Sequence, residues 1–405
     1  METSVKDIAH RVSADAVLGL LASRPRLLAL GEPAHGEASL LDLRNELFRQ
    51  LVEQEGYRTI AIESDCLRGL IVDDYVAAGI GTLDGVMARG FSHEWFNASA
   101  ANRDLVGWMR AYNEARPAGE RLRFAGFDGP LEMAGAASPR GALAALHGYL
   151  AAHVDACLLP CTAQLLDRLL GPDGRWTNPA AMMDPAQSVG RSPDADRLRL
   201  LADDLVALLD EHAPGLLAAT PRDEWERARL YGRTAVGLLH YHRLTADASP
   251  ARMTRLAGLR ARMMAENLLA LADRGPVLVH GHNSHLQRPR SSMRMAGQLL
   301  EWWSAGALAD ARLGAGYAFL ATALGTIRHQ GVETPPADTV EGLLYALPEE
   351  RCVLDAARLA ALLADAPPAP RESPWFGYAP LDPARLAEQD AIVFVKDLRA
   401  QDGVV

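Results

Sequence analysis

Short, continuous apolar runs punctuate the chain, and most lead into a stretch of helical period. Arg26-Leu27-Leu28-Ala29-Leu30 precedes Gly31, and Thr59-Ile60-Ala61-Ile62 precedes Glu63. Leu122-Arg123-Phe124-Ala125-Gly126-Phe127 precedes Asp128, and Pro276-Val277-Leu278-Val279 precedes His280. Tyr317-Ala318-Phe319-Leu320-Ala321 and Ala391-Ile392-Val393-Phe394-Val395 read as two further strands. Apolar runs without alternation suit strands covered on both faces. Strand and helix in alternation imply right-handed βαβ units around a largely parallel sheet. The expected fold is α/β, a mostly parallel sheet flanked by helices.

Between the strands, residues 39–55 carry Leu40, Leu43, Leu47 and Leu51 at helical spacing and stop at Gly56, a C-terminal cap. Residues 141–169 are rich in Ala and Leu and read as helical, interrupted near Pro160. From Gly171 to Pro193 proline and glycine break every period, and a loop of that length is usually functional or mobile. Three amphipathic stretches follow, near 195–212, 222–245 and 250–273, the last opening at Ser249-Pro250. The pattern predicts an inserted helical lobe over 136–250, with its Pro/Gly-rich loop at 171–193. Residues 1–135 and 251–405 form the α/β core around it. Trp302 and Trp303 read as helical neighbours, and the arginines at 252, 255, 260 and 262 as a solvated helix face.

Composition narrows the function classes. The 405 residues are 49% hydrophobic and 23% charged, ordinary for a globular protein, and the formal net charge is −10. That balance opposes nucleic-acid binding. No apolar run approaches the ~20 residues that span a bilayer, and acids stand where a signal peptide has its basic region, so a cytoplasmic enzyme is expected. The four cysteines (Cys66, Cys157, Cys161 and Cys352) form no CxxC pair and no zinc spacing, and read as reduced thiols.

Ionisable residues collect directly after four of the strands. They are Glu32, His35 and Glu37 after the first, Glu63 and Asp65 after the second, Asp128 after the third, and His280, His282 and His285 after the fourth. Ligands of open α/β sheets bind outside the carboxyl ends of the strands. Residues 32, 35, 63, 128, 282 and 285 are therefore expected at one edge, where acids need partners. Arg44 falls between Leu40, Leu47 and Phe48 and points inward, towards a carboxylate or a ligand anion, unless it snorkels at the stripe's edge. There is no GxSxG elbow and no GxxxxGK[ST] phosphate loop. The set suits general-base chemistry on water with oxyanion stabilisation. The same residue types also ligate zinc or iron, and spacing alone leaves that choice open. His240 and His242 point to different helix faces and cannot chelate. His93, in Gly90-Phe91-Ser92-His93-Glu94-Trp95-Phe96-Asn97, joins Asp128 and the loop residue Trp176 as candidate substrate contacts.

Gly31-Glu32-Pro33-Ala34-His35-Gly36, the Glu63 strand end, Gly126-Phe127-Asp128 and His282-Asn283-Ser284-His285 together resemble the signature blocks of the erythromycin esterase family, in order and spacing, with Arg44 at the family's arginine. The resemblance implies hydrolysis of an ester or lactone of a macrolide-like ligand without an acyl-enzyme, as in antibiotic resistance. It implies His35 as general base, with Glu32, Glu63, His282, His285 and Arg44 as its catalytic partners. No cofactor and no metal are expected, and the partner is a small-molecule ester or lactone, with neither nucleic acid nor membrane. The first block reads Pro33-Ala34 where macrolide-cleaving members carry a small residue and threonine, and Ser39 replaces an acid. The resemblance therefore carries the chemistry and leaves the substrate open. One alternative is natural-product biosynthesis by lactonisation, acyl transfer or dehydration at the same site. Another is a metal- or haem-binding protein, which an arginine aimed at the cluster disfavours.

Overall fold

The computed structural model describes residues 4–92, 99–132, 135–295 and 297–399; His93 lies outside the described residues. Its main sheet has eight strands: β1 (Ala9–His10), β2 (Leu27–Glu32), β3 (Thr59–Asp65), β4 (Arg123–Asp128), β5 (Val277–His282), β6 (Tyr317–Thr326), β7 (Arg351–Asp355) and β8 (Ala391–Asp397). They lie in the order β1-β7-β8-β6-β2-β5-β3-β4. The β8–β6, β6–β2, β2–β5 and β5–β3 pairings are parallel, whereas β7 runs antiparallel to β8 and β1. All six apolar runs form strands, and the expected mostly parallel α/β sheet is present. β2 and β6 are buried along their whole length, as strands covered on both faces must be.

The chain divides into two compact units. The first comprises Met1–Phe127, Leu268–Met293 and Trp303–Val405 and contains the sheet and its core. Its helix α1 (Ala38–Gln54) buries Leu40, Leu41, Leu43, Leu47, Phe48, Leu51 and Val52. Each such side chain contributes about 1.5–3 kcal/mol. The helix ends where Gly56 takes a φ of 75°, as the sequence predicts. Helix α2 (Ala100–Asn113) packs against it.

The second unit comprises Asp128–Asn267 and Arg294–Trp302. The segment 136–250 expected to form a helical lobe lies inside these bounds. Helices α3 (Arg140–His153), α4 (Pro193–Glu211) and α5 (Arg222–Thr245) pack on one another. The Pro/Gly-rich segment between α3 and α4 is a chain of short helical turns, among them Asp173–Arg175, Ala180–Met183 and Val189–Arg191.

Trp302 and Trp303 are not helical. They close the strand Gln298–Trp303, which pairs with Arg290–Met295 in a two-stranded ribbon. Flanking aromatic side chains fit a pleated, half-exposed surface.

Candidate active site

The site grows out of one register. Parallel pairing sets Leu30 opposite His280 and Glu32 opposite His282, so the carboxyl ends of β2 and β5 bring an acid and two imidazoles together. Period-2 alternation then places His280 and His282 on one face of β5. Glu32 is only 1% exposed, with Oε1 2.7 Å from His35 Nδ1 and Oε2 3.2 Å from His280 Nε2. His280 Nδ1 lies 3.2 Å from the Leu30 carbonyl. Burial pushes the Glu32 carboxyl up, but the adjoining His280 and His35 outweigh it and hold the group well below the usual carboxylate range. Glu32 is therefore a carboxylate. The His35 Nδ1–H donates to it, which makes Nε2 the basic nitrogen of the ring.

A second carboxylate serves the other two histidines. Glu63, the fifth residue of β3, accepts the His282 backbone N–H on Oε2 at 2.7 Å and meets His285 Nε2 with Oε1 at 3.3 Å. Gly281 makes this possible, since a Cβ there would stand 2.9 Å from Glu63 Oε2. Gly31 serves likewise on β2: its Cβ would fall 2.0 Å from Oδ1 of Asn283, whose Nδ2 donates to the Thr322 carbonyl of β6 at 2.9 Å. Gly31 and Gly281 are thus clearances for neighbouring polar side chains.

His282 is held in one tautomer. Its Nδ1 accepts the Ser284 N–H at 3.2 Å as the cap of the short helix Asn283–Leu286, so the proton of the neutral ring resides on Nε2. The Pro33 backbone is a further hydrogen-bond partner of the ring. Burial, then repulsion from His35, outweigh Glu63 and Glu32 and lower His282 to about 4, so it is neutral at physiological pH. The His35 and His282 ring centroids are 5.0 Å apart, those of His282 and His285 6.4 Å. The geometry pairs a basic nitrogen on His35 with an N–H donor on His282.

Arg44 is completely buried, as its place on the apolar stripe predicts, but amides rather than a carboxylate take its hydrogen bonds. Nη2 donates to Asn45 Oδ1 at 2.8 Å and to Asn102 Oδ1 at 2.9 Å, and Nε donates to Asn45 Oδ1 at 3.1 Å. Burial lowers the guanidinium to about 10, against the pull of Glu32 and Asp42, so it stays charged. It acts on Glu32 through its field.

Asp128 and Trp176, expected as substrate contacts, have partners within the second unit. Asp128 belongs to the second unit, where Arg260 grips it through Nη2–Oδ2 at 2.6 Å and Nε–Oδ2 at 3.1 Å. Arg260 is therefore a buried-acid partner and not part of a solvated face. Trp176 is 3% exposed, its indole N–H donates to the Leu170 carbonyl at 2.9 Å, and its ring stands edge-on to His242 at 5.0 Å. Desolvating that large ring fills the helical unit's core, so it presents no face to a ligand. Conversely, His280 and Glu37, named with the ionisable strand ends, were given no role in the site, and His329, whose Nε2 is 3.2 Å from Glu37 Oε1, was not named. Alternation with His282 was the available signal for His280. His329 had none, because it lies beyond a strand whose length the apolar run understates.

Among the described residues no three His, Cys, Asp or Glu side chains are grouped to hold a metal ion. No helix of the described residues is long and apolar enough to cross a membrane.

A parallel α/β sheet carrying carboxylate–imidazole pairs at its carboxyl edge has the layout of a hydrolase-like enzyme. The erythromycin esterase family profile matches residues 52–398, and the chain belongs to that family. The matched span opens downstream of the Glu32–His35 block. An erythromycin esterase type II of Escherichia coli is 33% identical over 105 residues, which span 26% of this chain and 24% of that relative's length. Among solved structures, a Bacillus cereus protein superposes with a TM-score of 0.74 at 16% identity, over 97% of this chain and 96% of its own. A succinoglycan biosynthesis protein gives 0.70 at 15% identity, over 98% and 96%. A mutant of the erythromycin esterase EreC in its open conformation gives 0.63 at 20%, over 96% and 94%. At these identities the three structures share the fold.

Proposed function

We propose that this protein is a metal-independent carboxylic ester hydrolase that cleaves an ester or lactone by direct attack of water. The observation that carries this reading is the Glu32–His35 contact of 2.7 Å beside the neutral His282 ring at 5.0 Å. His35 Nε2 takes a proton from water as it attacks the carbonyl carbon, and Glu32 stabilises the imidazolium that forms. A positioned base of this kind supplies about 10²–10⁴-fold. The His282 Nε2–H, whose resting acceptor is the Pro33 carbonyl, turns to the developing oxyanion, an interaction worth about 3–4 kcal/mol per donor. Glu63 positions His282 through its backbone and His285 through its ring. His280 and His35 keep Glu32 ionised, Glu32 in turn favours the charge of Arg44, and that charge opposes a bound metal cation.

The test is a mass-spectrometric screen of the protein and its His35→Ala variant against macrolides, simple lactones and aryl esters, seeking a gain of one water. Turnover by the parent and not by the variant is expected. Equal turnover by both, or none by the parent on any ester, overturns the proposal.

A further inference from the structure

The same sheet edge carries a third carboxylate–imidazole pair that the steps above do not use. β6 lies next to β2 and turns back after Thr326, and His329 on this turn brings Nε2 to 3.2 Å from Glu37 Oε1. The turn is firmly held. Ile327 and Val332, both buried, exchange backbone hydrogen bonds of 2.8 and 3.1 Å across it. Buried Arg371 donates to the Leu324 and Gly325 carbonyls, each at 2.7 Å, and to the Glu333 carbonyl at 2.9 Å. The imidazole itself is 31% exposed at its side chain. Glu37, two residues after His35, is 5% exposed, and its Oε2 is buried with no hydrogen-bond partner among the described atoms. Burial and repulsion from Glu32 push its carboxyl up, and His329 opposes them. The Glu37 carboxyl, with one oxygen on Nε2 of that imidazole, fixes the ring so that Nδ1 is its free nitrogen.

We propose that His329 is the general acid that protonates the departing alkoxide, with Glu37 as the residue that positions it. The inference rests on the ester-hydrolysis reading. β5 and β6 flank β2 on opposite sides, so the oxyanion donor His282 and the turn bearing His329 flank the catalytic block from opposite sides. A tetrahedral intermediate needs that arrangement, because its oxyanion and its leaving oxygen point in different directions. In the first step the water oxygen bonds to the carbonyl carbon and His35 takes the proton. In the second, the bond from that carbon to the alkoxide oxygen breaks, its electron pair stays on the oxygen, and His329 Nδ1–H supplies the proton. His35 then loses its proton to solvent and His329 regains one. Water and ester become acid and alcohol.

The experiment compares an ethyl ester and a 4-nitrophenyl ester of one acyl group, because the nitrophenolate leaves without protonation. In the full chain His329→Gln should lower the ethyl-to-nitrophenyl ratio of kcat/KM about 100-fold, the scale of one general acid. Glu37→Gln, which keeps an acceptor and removes the charge, should lower the ratio by a smaller factor. An unchanged ratio in both variants, with or without a uniform loss of rate, overturns the assignment while ester hydrolysis stands. Failure of the parent on both esters overturns the hydrolysis reading and this assignment with it.

Discussion

Keeping His282 neutral carries a measurable acid lability. The ring's ordinary value of 6.5 falls to about 4 in the folded protein because burial and the His35 charge disfavour its imidazolium. The Ser284 N–H at 3.2 Å points the same way, since only an unprotonated Nδ1 can accept it. The folded state therefore binds this proton more weakly than the unfolded chain does. Above about pH 6.5 neither state carries it and the full stability is present. As the pH falls from 6.5 towards 4 the unfolded chain takes up the proton first, and stability declines. One pKa unit corresponds to about 1.4 kcal/mol, so the whole decline amounts to about 3 kcal/mol. Urea unfolding of the parent and of His282→Asn at fixed pH values from 7.5 to 4.5 reads the effect, because titrations outside the His282, His35, Glu32 and Glu63 cluster are common to both. The stability difference between the two proteins should shrink by most of that amount across the series. Parallel curves for parent and variant would refute the claim that His282 is held neutral by its surroundings.

Two further substitutions separate the site from the scaffold. Gly281→Ala sets a methyl group 2.9 Å from both Glu63 Oε2 and Phe127 Cζ, which displaces the carboxylate that holds His282 and His285; kcat should fall about 10²-fold, the scale of a 1 Å misplacement, in a protein whose melting curve stays cooperative. Trp176→Ala should cost about 3–5 kcal/mol in chemical denaturation and leave KM for any hydrolysed ester unchanged, since the ring is a core element; a raised KM with little loss of stability would restore it as a substrate contact.

Legibility in the sequence followed desolvation. Strands buried on both faces must be apolar throughout, so all six showed as continuous runs. β7 escaped notice because only Cys352, Val353 and Leu354 are buried in it, between Arg351 and Asp355. It is an antiparallel strand between β8 and the two-residue edge strand β1. At the site, Glu32, His35, Glu63, His282 and His285 were legible as ionisable groups at strand ends, and the structure brings these five together. His280 sits inside β5, where an imidazole reads as an interruption of the apolar run. The β6 run breaks off visibly at Ala321, yet the strand continues to Thr326 through Thr322, Ala323, Leu324 and Gly325, all buried, with Thr322 bonded to Asn283. That hidden extension carries the chain to His329. The Arg260 partner of Asp128 was not legible, because it lies 132 residues away and no periodicity encodes that distance.

The Glu32 carboxylate explains why these residues act together. A charge this deeply buried is tolerable only when opposed, and His35, His280 and Arg44 supply the opposition. The dependence also runs in reverse. Without Glu32 the His35 imidazolium loses its counter-ion, and the buried guanidinium of Arg44 loses an anion that favours its charge. Removing any one member therefore leaves the others in the wrong charge state as well as removing its own contact. Substitutions at Glu32, His35 and Arg44 should be strongly non-additive, as in other buried networks. For the same reason Glu32→Gln is the least conservative of the isosteric changes open to the site. It preserves the shape while withdrawing the charge on which the base, its neighbouring imidazole and the arginine all depend.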